Sequence, residues 1–175
     1  MTIVLGPDQS IADLVETANR SCPACGGALH RWGNARWRVV RRAAEDWRFR
    51  PGRVRCRNCG VTQVVLPNEV LVRRRDALTV VATAWQLFAN GDGARRVAGV
   101  VGVPMETVRG WQRRLRQRAL LMYGARRGND RDRMGWALAY VEATARSAGW
   151  HAHDDVWRFV AYRCQGRLLY NTSWP

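Results

Sequence analysis

Two Cys-x-x-Cys pairs hold the residues of this chain that are best suited to chemistry. Cys22 pairs with Cys25 and Cys56 with Cys59, and a glycine follows each pair. Four thiolates match the tetrahedral preference of Zn²⁺ at about 2.3 Å, and two intervening residues let one tight turn aim both sulfurs at the metal. Because glycine adopts positive φ without steric cost, it suits the end of such a turn. The four cysteines are therefore predicted to hold one structural Zn²⁺.

The separation of the two cysteine pairs is unusual for a zinc site, but other uses of the cysteines fit the sequence less well. The stretch from Cys25 to Cys56 is longer than the roughly 15 to 20 residues that usually separate zinc-binding pairs. One pair alone would suit a redox dithiol, but no strand-helix-strand pattern surrounds Cys22, and the second pair would have no role. Residues 1–5 are apolar but lack the basic region of a secretory signal, and no apolar run approaches about 18 residues. We expect a cytoplasmic chain with reduced cysteines, away from membranes.

The charge of the chain is strongly positive. All 29 basic residues are arginine, and the formal net charge is +15 in 175 residues. Residues 31–118 carry 20 arginines against 6 acids, whereas residues 119–175 carry 8 against 5. The absence of lysine also fits a GC-rich genome, so it is not by itself a sign of phosphate recognition. The uneven distribution favours a polyanionic partner for the first two-thirds of the chain.

Arginine alternates with apolar residues between the two cysteine pairs. The alternation covers residues 36–39, 47–50 and 53–55, and a period of two predicts strands. The arginine side is either a solvated surface or, since these strands carry no acid, a contact for an anionic partner. Most of the nine tryptophans are expected in the core, although Trp32 or Trp37 could stack on single-stranded bases. One predicted side carries Trp37, Val39, Trp47, Phe49 and Val54, and the other carries Arg36, Arg38, Arg48, Arg50, Arg53 and Arg55.

A helical pattern replaces the alternation after residue 67. Asp76 is predicted to cap a helix over residues 77–88, and the turn residues 90–93 end it. Residues 94–111 then match the constraints of a helix-turn-helix motif. Ala98 is small where two helices cross, and Gly102 tolerates the positive φ of the turn. Pro104 suits the first turn of the second helix, and the predicted inter-helix core is Val97, Val101, Val103, Val108 and Trp111.

The second helix of this motif would present its first turns to a major groove. Arg109 is the favoured reader of guanine, because a guanidinium can bridge O6 and N7. Gly110 weakens the helix by about 1 kcal/mol relative to alanine and would permit close approach to DNA. A helical hairpin that only packs in a core remains the alternative. The predicted DNA contacts are Met105, Glu106, Thr107, Arg109, Gly110, Arg113, Arg114 and Arg116, extended by Arg118, together with Arg36, Arg38, Arg48 and Arg50.

These motifs resemble a known arrangement. The Cys-Pro-x-Cys-Gly pair, the arginine-rich strands, the second Cys-x-x-Cys-Gly pair and the Thr-Val-Arg-Gly-Trp helix are similar to the N-terminal half of bacterial insertion-sequence transposases. They resemble more closely the small helix-turn-helix proteins of high-GC bacteria that lack the catalytic domain. The resemblance covers residues 22–118. It implies that residues 104–118 read DNA and that the metal ligands are Cys22, Cys25, Cys56 and Cys59.

The C-terminal third lacks the carboxylates that a complete recombinase needs. Its acids fall in a short region with no strand series to hold them, so we expect binding without catalysis. Helices are predicted over residues 134–148, with Trp136, Leu138, Tyr140 and Val141 in the apolar part, and over residues 154–164. They would cover the helix-turn-helix core or pair two subunits, and a homodimer is the hypothesis because such readers often bind two half-sites. A second metal site of His151, His153 and Cys164 lacks ligand spacing, so a buried thiol with surface histidines is favoured.

The sequence thus predicts an α+β chain with a zinc ribbon, a small antiparallel sheet, followed by helices. Its expected function is binding of double-stranded DNA, as a transcriptional regulator or an accessory protein of a mobile element, on the nucleoid of a bacterial cell. The alternative is an RNA-associated or protein-interaction zinc-ribbon scaffold. No small-molecule substrate is inferred. The predicted segments are 1–20, a strand and a helix begun by a Ser10–Asp13 capping box; 21–67, the ribbon; 68–122, the helix-turn-helix domain; and 123–175, the C-terminal helices.

Overall fold

The computed structural model describes residues 2–6, 10–16, 21–123, 128–151 and 153–169. Within these ranges the chain is α+β, with six strands and six helices. The strands are β1 (Thr2–Val4), β2 (Leu29–Asn34), β3 (Arg38–Arg41), β4 (Asp46–Phe49), β5 (Gly52–Cys56) and β6 (Thr62–Leu66). The helices are α1 (Ile11–Glu16), α2 (Leu78–Ala89), α3 (Ala94–Val101), α4 (Met105–Tyr123), α5 (Asp130–Ser147) and α6 (His153–Arg163).

Four strands form the main sheet, in the order β1-β6-β5-β2. β5 pairs antiparallel with both β2 and β6, so the antiparallel sheet predicted for residues 21–67 is confirmed, and β1 of the N-terminal segment joins it in parallel with β6. The predicted strand over residues 2–5 is found as β1. β2 and β6 were not predicted, because neither segment shows the alternation of arginine with apolar residues that identified the other strands.

β3 and β4 form a separate hairpin that continues the line of β2 and β5. The amide of Ala35 donates to the carbonyl of Pro51 at 2.7 Å, which bridges the gap between the two antiparallel pairs. Residues 29–41 and 46–56 therefore make one long two-stranded unit, here named the β-arm. The length of chain between the two cysteine pairs is accounted for by this arm.

The side-chain faces of the β-arm differ from the prediction at β3. Arg38 pairs with Phe49, and Val40 pairs with Trp47, so these four residues share a face that lies against the helices. Val39 is exposed on the opposite face with Arg48. The prediction that Val39 lies with Phe49 on the apolar side and Arg38 on the arginine side is therefore wrong. The sequence did not show which alternate residues of β3 face the core, because Val39 and Val40 are adjacent and either valine could have been the buried one.

The N-terminal segment closes a small core beside the cysteines. Ser10 Oγ accepts from the amide of Asp13 at 3.1 Å, and the carboxylate of Asp13 accepts from the amide of Ser10 at 2.6 Å, which confirms the predicted capping box. The chain places Ile11 of α1 against a cluster of buried side chains. That cluster consists of Ile3, Cys22, Leu29, Val54, Cys56 and Val65.

Helix α2 is the centre of the larger core. Its Trp85 is fully buried, donates from Nε1 to the carbonyl of Met134 at 3.2 Å, and lies 5.5 Å from the ring of Trp157. The prediction that Asp76 caps this helix is wrong, because Ala77 is the N-cap and makes no side-chain cap. Asp76 instead pairs with Arg41 of β3 at 3.3 Å, so it joins the β-arm to the start of the helices.

A three-residue turn joins α3 to α4. Gly102 has φ 64°, in the left-handed region predicted for it, and its amide donates to the carbonyl of Ala98. Val97, Val103, Val108 and Trp111 are buried as predicted, and Val101 is half-buried. Local turn chemistry and the spacing of apolar residues were sufficient to predict this pair of helices.

The last two helices cover α2 and α4. α5 begins at Asp130, four residues before the prediction, because Asn129 and Asp132 form a capping box. The placing of Trp136 and Tyr140 in its apolar part is wrong, since they are 63% and 50% exposed. The buried residues of α5 are Met134, Ala137, Val141 and Ala145, and those predicted and confirmed in α6 are Val156, Trp157, Val160 and Ala161. None of the helices in the described ranges is both long enough and apolar enough to cross a bilayer.

Candidate functional site: a four-cysteine centre and a basic helical surface

The four predicted cysteines meet at one point. The Sγ atoms of Cys22 and Cys59 are 3.7 Å apart, those of Cys25 and Cys56 are 3.5 Å apart, and all four lie within 4.8 Å of one another. Tetrahedral ligands with metal–sulfur bonds of about 2.3 Å would be about 3.8 Å apart. The cluster therefore has the dimensions of a metal site, and it is the one cluster of this kind among the described residues.

The two halves of the centre repeat the same backbone turn. In the first, the amide of Cys22 donates to the carbonyl of Gly27 at 2.8 Å and the amide of Gly26 donates to the carbonyl of Cys22 at 2.8 Å. The second repeats both bonds at Cys56, at 3.0 and 3.2 Å, with Val61 and Gly60 as partners. The glycine after each pair has positive φ, 73° and 70°, as the sequence predicted. Each turn thus aims its two sulfurs at a common point before any metal is considered.

The surroundings of the cysteines support the same reading. Cys22 and Cys56 are buried, whereas Cys25 and Cys59 face solvent. Gln63 of β6, which is fully buried, donates from Nε2 to the Cys22 sulfur at 3.5 Å. A buried amide that donates to a sulfur stabilises a thiolate and fixes its direction. Gln63 was not predicted from the sequence, for two reasons. Its strand, β6, was not predicted, and no residue type or spacing marks a side chain that donates a hydrogen bond to a metal ligand.

The protonation of the sulfurs is uneven. The amide of Cys59 donates to Cys56 and, with smaller contributions from Asn58 and the neighbouring thiols, outweighs burial and lowers the pKa of Cys56 to about 6. Cys59 accepts from the amide of Val61, which lowers its pKa, but the Cys25 thiol and burial oppose this and raise the pKa to about 12. The hydrogen bonds among the sulfurs therefore favour a thiolate at Cys56 and disfavour one at Cys59.

The start of α4 is exposed on the side predicted to read DNA. Glu106, Thr107, Arg109 and Arg113 face solvent, whereas Val108 of the same turns is buried. The guanidinium of Arg109 is not free: Nη1 lies 2.7 Å from Oε1 of Glu106. An exposed ion pair of this kind is worth about 0.3 to 0.5 kcal/mol, so a phosphate or a base could displace it at small cost.

The remaining predicted contacts on α4 are less available. Met105 and Gly110 are half-buried, and a Cβ at Gly110 would lie 3.0 Å from Nη1 of Arg114, whose guanidinium covers that glycine. Arg116 pairs with Asp130 of α5 at 3.3 Å. The expectation that Arg118 extends the basic surface is wrong. It is 2% exposed and donates to the carbonyls of Arg167 and Leu168, at 3.1 and 3.4 Å.

The β-arm arginines divide between its two faces. Arg36, Arg48 and Arg50 are exposed. Arg38 is half-buried and donates to the carbonyl of Arg74 at 2.9 Å, so burial lowers the pKa of its guanidinium. Arg38 therefore ties the arm to the body, and the other three form the basic surface.

A second cluster around the C-terminal helix is not formed by the residues described. Cys164 is buried, and burial raises the pKa of its thiol to about 11 despite the opposing charge of Arg118. His151 is exposed, and the side chain of His153 lies outside the described part of the chain. The buried thiol favoured by the sequence is confirmed.

Comparison with protein-family models, with curated proteins and with solved structures gives no match. The resemblance to insertion-sequence transposases therefore stays a prediction that rests on the motif residues themselves.

Proposed function

We propose that this chain is a zinc-stabilised protein that binds double-stranded DNA, with α4 as the reading helix. The observation that carries the proposal is the orientation of α4. Val108 and Trp111 hold its inner side in the core, while Thr107, Arg109 and Arg113 project from its first turns, directly after the tight turn at Gly102. A helix held in this way at its base and exposed at its N-terminal end suits entry into a major groove.

The cysteine centre supports the proposal through the fold. Zn²⁺ bound by the four thiolates would join the turn before β2 to the turn between β5 and β6, and so hold these strands together at that end of the sheet. Gln63 would orient the Cys22 sulfur. We assign this metal a structural role, because the two turns supply four ligands and leave no open position for a substrate.

In this proposal the contacts divide by role. Exposed arginines of α4 and the β-arm would neutralise phosphates, a contribution independent of sequence that weakens as salt rises. Arg109 would leave Glu106 to pair with a guanine edge, while Thr107 and Arg113 contact neighbouring positions. A regulator of transcription or an accessory protein of a mobile element would both use such a surface.

The test compares Arg109→Ala with Arg146→Ala. The two arginines are exposed to a similar degree, 56% and 63%, and each pairs with a glutamate on its own helix. A duplex selected from a random-sequence pool serves as the probe, and its affinity is measured over a range of salt concentrations. We expect Arg109→Ala to weaken the selected duplex by about 1 to 3 kcal/mol and to relax preference at one position, while Arg146→Ala has little effect.

Two results would contradict the proposal. One is the failure of selection to enrich any duplex. The other is an equal response of the two variants, since the protein would then bind DNA, if at all, through its net charge rather than through α4. The RNA or protein scaffold would be favoured by the first result, because it needs the centre and the charge but not the reading helix.

A further inference from the structure

Two tryptophans stand exposed on the β-arm, where burial would have been expected for so large an apolar side chain. Trp32 lies in the irregular stretch of β2, and Trp37 directly precedes β3. They are 48% and 57% exposed, whereas Trp85, Trp111 and Trp157 are buried. An exposed indole offers a flat apolar face on which another flat group can stack.

Each of these rings already carries an arginine on one side. The guanidinium of Arg48 lies 4.8 Å from the ring centroid of Trp37, and that of Arg55 lies 4.7 Å from that of Trp32. The ring of His30 also lies 5.8 Å from that of Trp32, in an edge-to-face arrangement, and about half of each tryptophan side chain remains exposed to solvent. The guanidinium holds the indole in one orientation and places a positive charge beside a flat apolar surface.

The charge around the two rings points to an anion. Residues 29–66 contain ten arginines and two acids, Glu45 and Asp46, and both acids are at the far turn of the β-arm. Asp46 is also engaged by Arg75 at 3.8 Å. A partner with negative charge and flat apolar groups at short intervals would complement both features of this surface.

We infer that the β-arm binds single-stranded DNA, with unpaired bases stacked on Trp32 and Trp37 and phosphates held by Arg48, Arg55 and the neighbouring Arg36 and Arg50. In a duplex the flat faces of the bases are occupied by one another, so an exposed indole can stack only where bases are unpaired. The tryptophans are five positions apart in the sequence, which sets their Cα atoms at most about 18 Å apart, so one strand can reach both.

This activity goes beyond duplex reading: it shares the β-arm arginines with the proposed duplex contacts, but its stacking tryptophans take no part in them. The choice of DNA rather than RNA rests on the proposed function, whereas the stacking surface itself does not. Failure of the two ideas can be told apart, because Arg109 lies on α4 and the tryptophans lie on the β-arm.

The experiment measures fluorescence anisotropy of a labelled 20-nucleotide DNA of mixed sequence, of its duplex and of the matching RNA, with the full-length protein. The variants are Trp32→Ala, Trp37→Ala and Trp37→Phe. Trp136→Ala is the matched control, because Trp136 is 63% exposed on α5, away from the β-arm. Circular dichroism and thermal unfolding check that each variant is folded.

We expect each alanine variant on the β-arm to weaken single-stranded DNA binding by about 10-fold, with Trp37→Phe losing less because it keeps a ring. Trp136→Ala should change it by less than about 2-fold, and duplex affinity should respond to Arg109→Ala but not to the tryptophans. Equal losses in Trp37→Ala and Trp136→Ala, or no measurable single-strand binding by the parent protein, would overturn the inference. Tighter binding of the RNA than of the DNA would overturn the assignment to DNA.

Discussion

The turn at Gly102 allows a stability test whose sign is set by a single backbone angle. Gly102 has φ 64° and Gly99 lies inside α3, yet a Cβ built at either position meets no atom within 4 Å. Contact therefore contributes nothing to the difference between Gly102→Ala and Gly99→Ala. Only the backbone conformation separates the two substitutions.

The expected magnitudes follow from that conformation. An L-residue in the left-handed region costs about 1 to 2 kcal/mol, so Gly102→Ala should lower the free energy of unfolding by about that amount. Gly99→Ala should raise it by about 0.5 to 1 kcal/mol, because alanine loses less chain entropy than glycine in a helix. The free energy of unfolding of Gly102→Asn should lie between those of the parent protein and Gly102→Ala, since asparagine adopts the left-handed region more readily than alanine.

The assay is equilibrium unfolding in denaturant, with the dependence on denaturant concentration checked for equality among the variants. The alanine variants should differ by about 2 kcal/mol, or about 4 to 8 °C in Tm for a chain of this size. A Gly102→Ala protein as stable as Gly99→Ala would refute the reasoning, because it would mean that the turn between α3 and α4 does not hold Gly102 at positive φ.

Two further predictions concern buried polar groups. Metal analysis should find about one Zn²⁺ per chain. In competition with a chelator, Gln63→Leu should lower the affinity for Zn²⁺ about 10- to 100-fold, whereas the control Gln117→Leu, at an exposed position of α4, should leave it unchanged. Equal Zn²⁺ affinities of the two variants would show that Gln63 does not support the site. Burial raises the pKa of Asp76 above its ordinary value of 3.8, with Arg41, Arg75 and Arg74 opposing. The folded chain then keeps this proton where the unfolded chain has lost it, so stability should fall as pH rises from 3.8 through the raised value. Asp76→Asn should remove that slope in unfolding measured across this range, and an unchanged slope would contradict the assignment.

The metal centre could be predicted from the sequence because each half of it is a turn formed by residues adjacent in the chain. Two residues between cysteines and a glycine after them specify a turn without help from the rest of the chain, and Gly26 and Gly60 adopt the predicted angles. What joins the two turns is not local. The pairing of β2 with β5 and the buried amide of Gln63 bring them together, and neither strand β2 nor β6 was predicted.

The helices were likewise predicted where their own residues decide them. The spacing of Val97, Val103, Val108 and Trp111 identified the buried side of α3 and α4. The buried face of α5 was predicted wrongly, because Trp136 and Tyr140 are apolar enough to suggest burial but lie on the exposed side of the helix. Periodicity gives the angle between side chains on a helix, whereas the direction of the neighbouring elements decides which side is covered.

The sequence by itself determined the elements whose causes lie within a few residues: the cysteine turns, the Ser10–Asp13 capping box and the glycine turn after α3. Only the tertiary structure decided which arginines are buried and which are exposed. Arg118 is buried by carbonyls that lie 49 and 50 residues further along the chain, and Arg38 by the carbonyl of Arg74, while Arg48 stays exposed against Trp37. A charged side chain is exposed or buried according to which distant backbone carbonyls can accept hydrogen bonds from it, and that information is absent from its own segment.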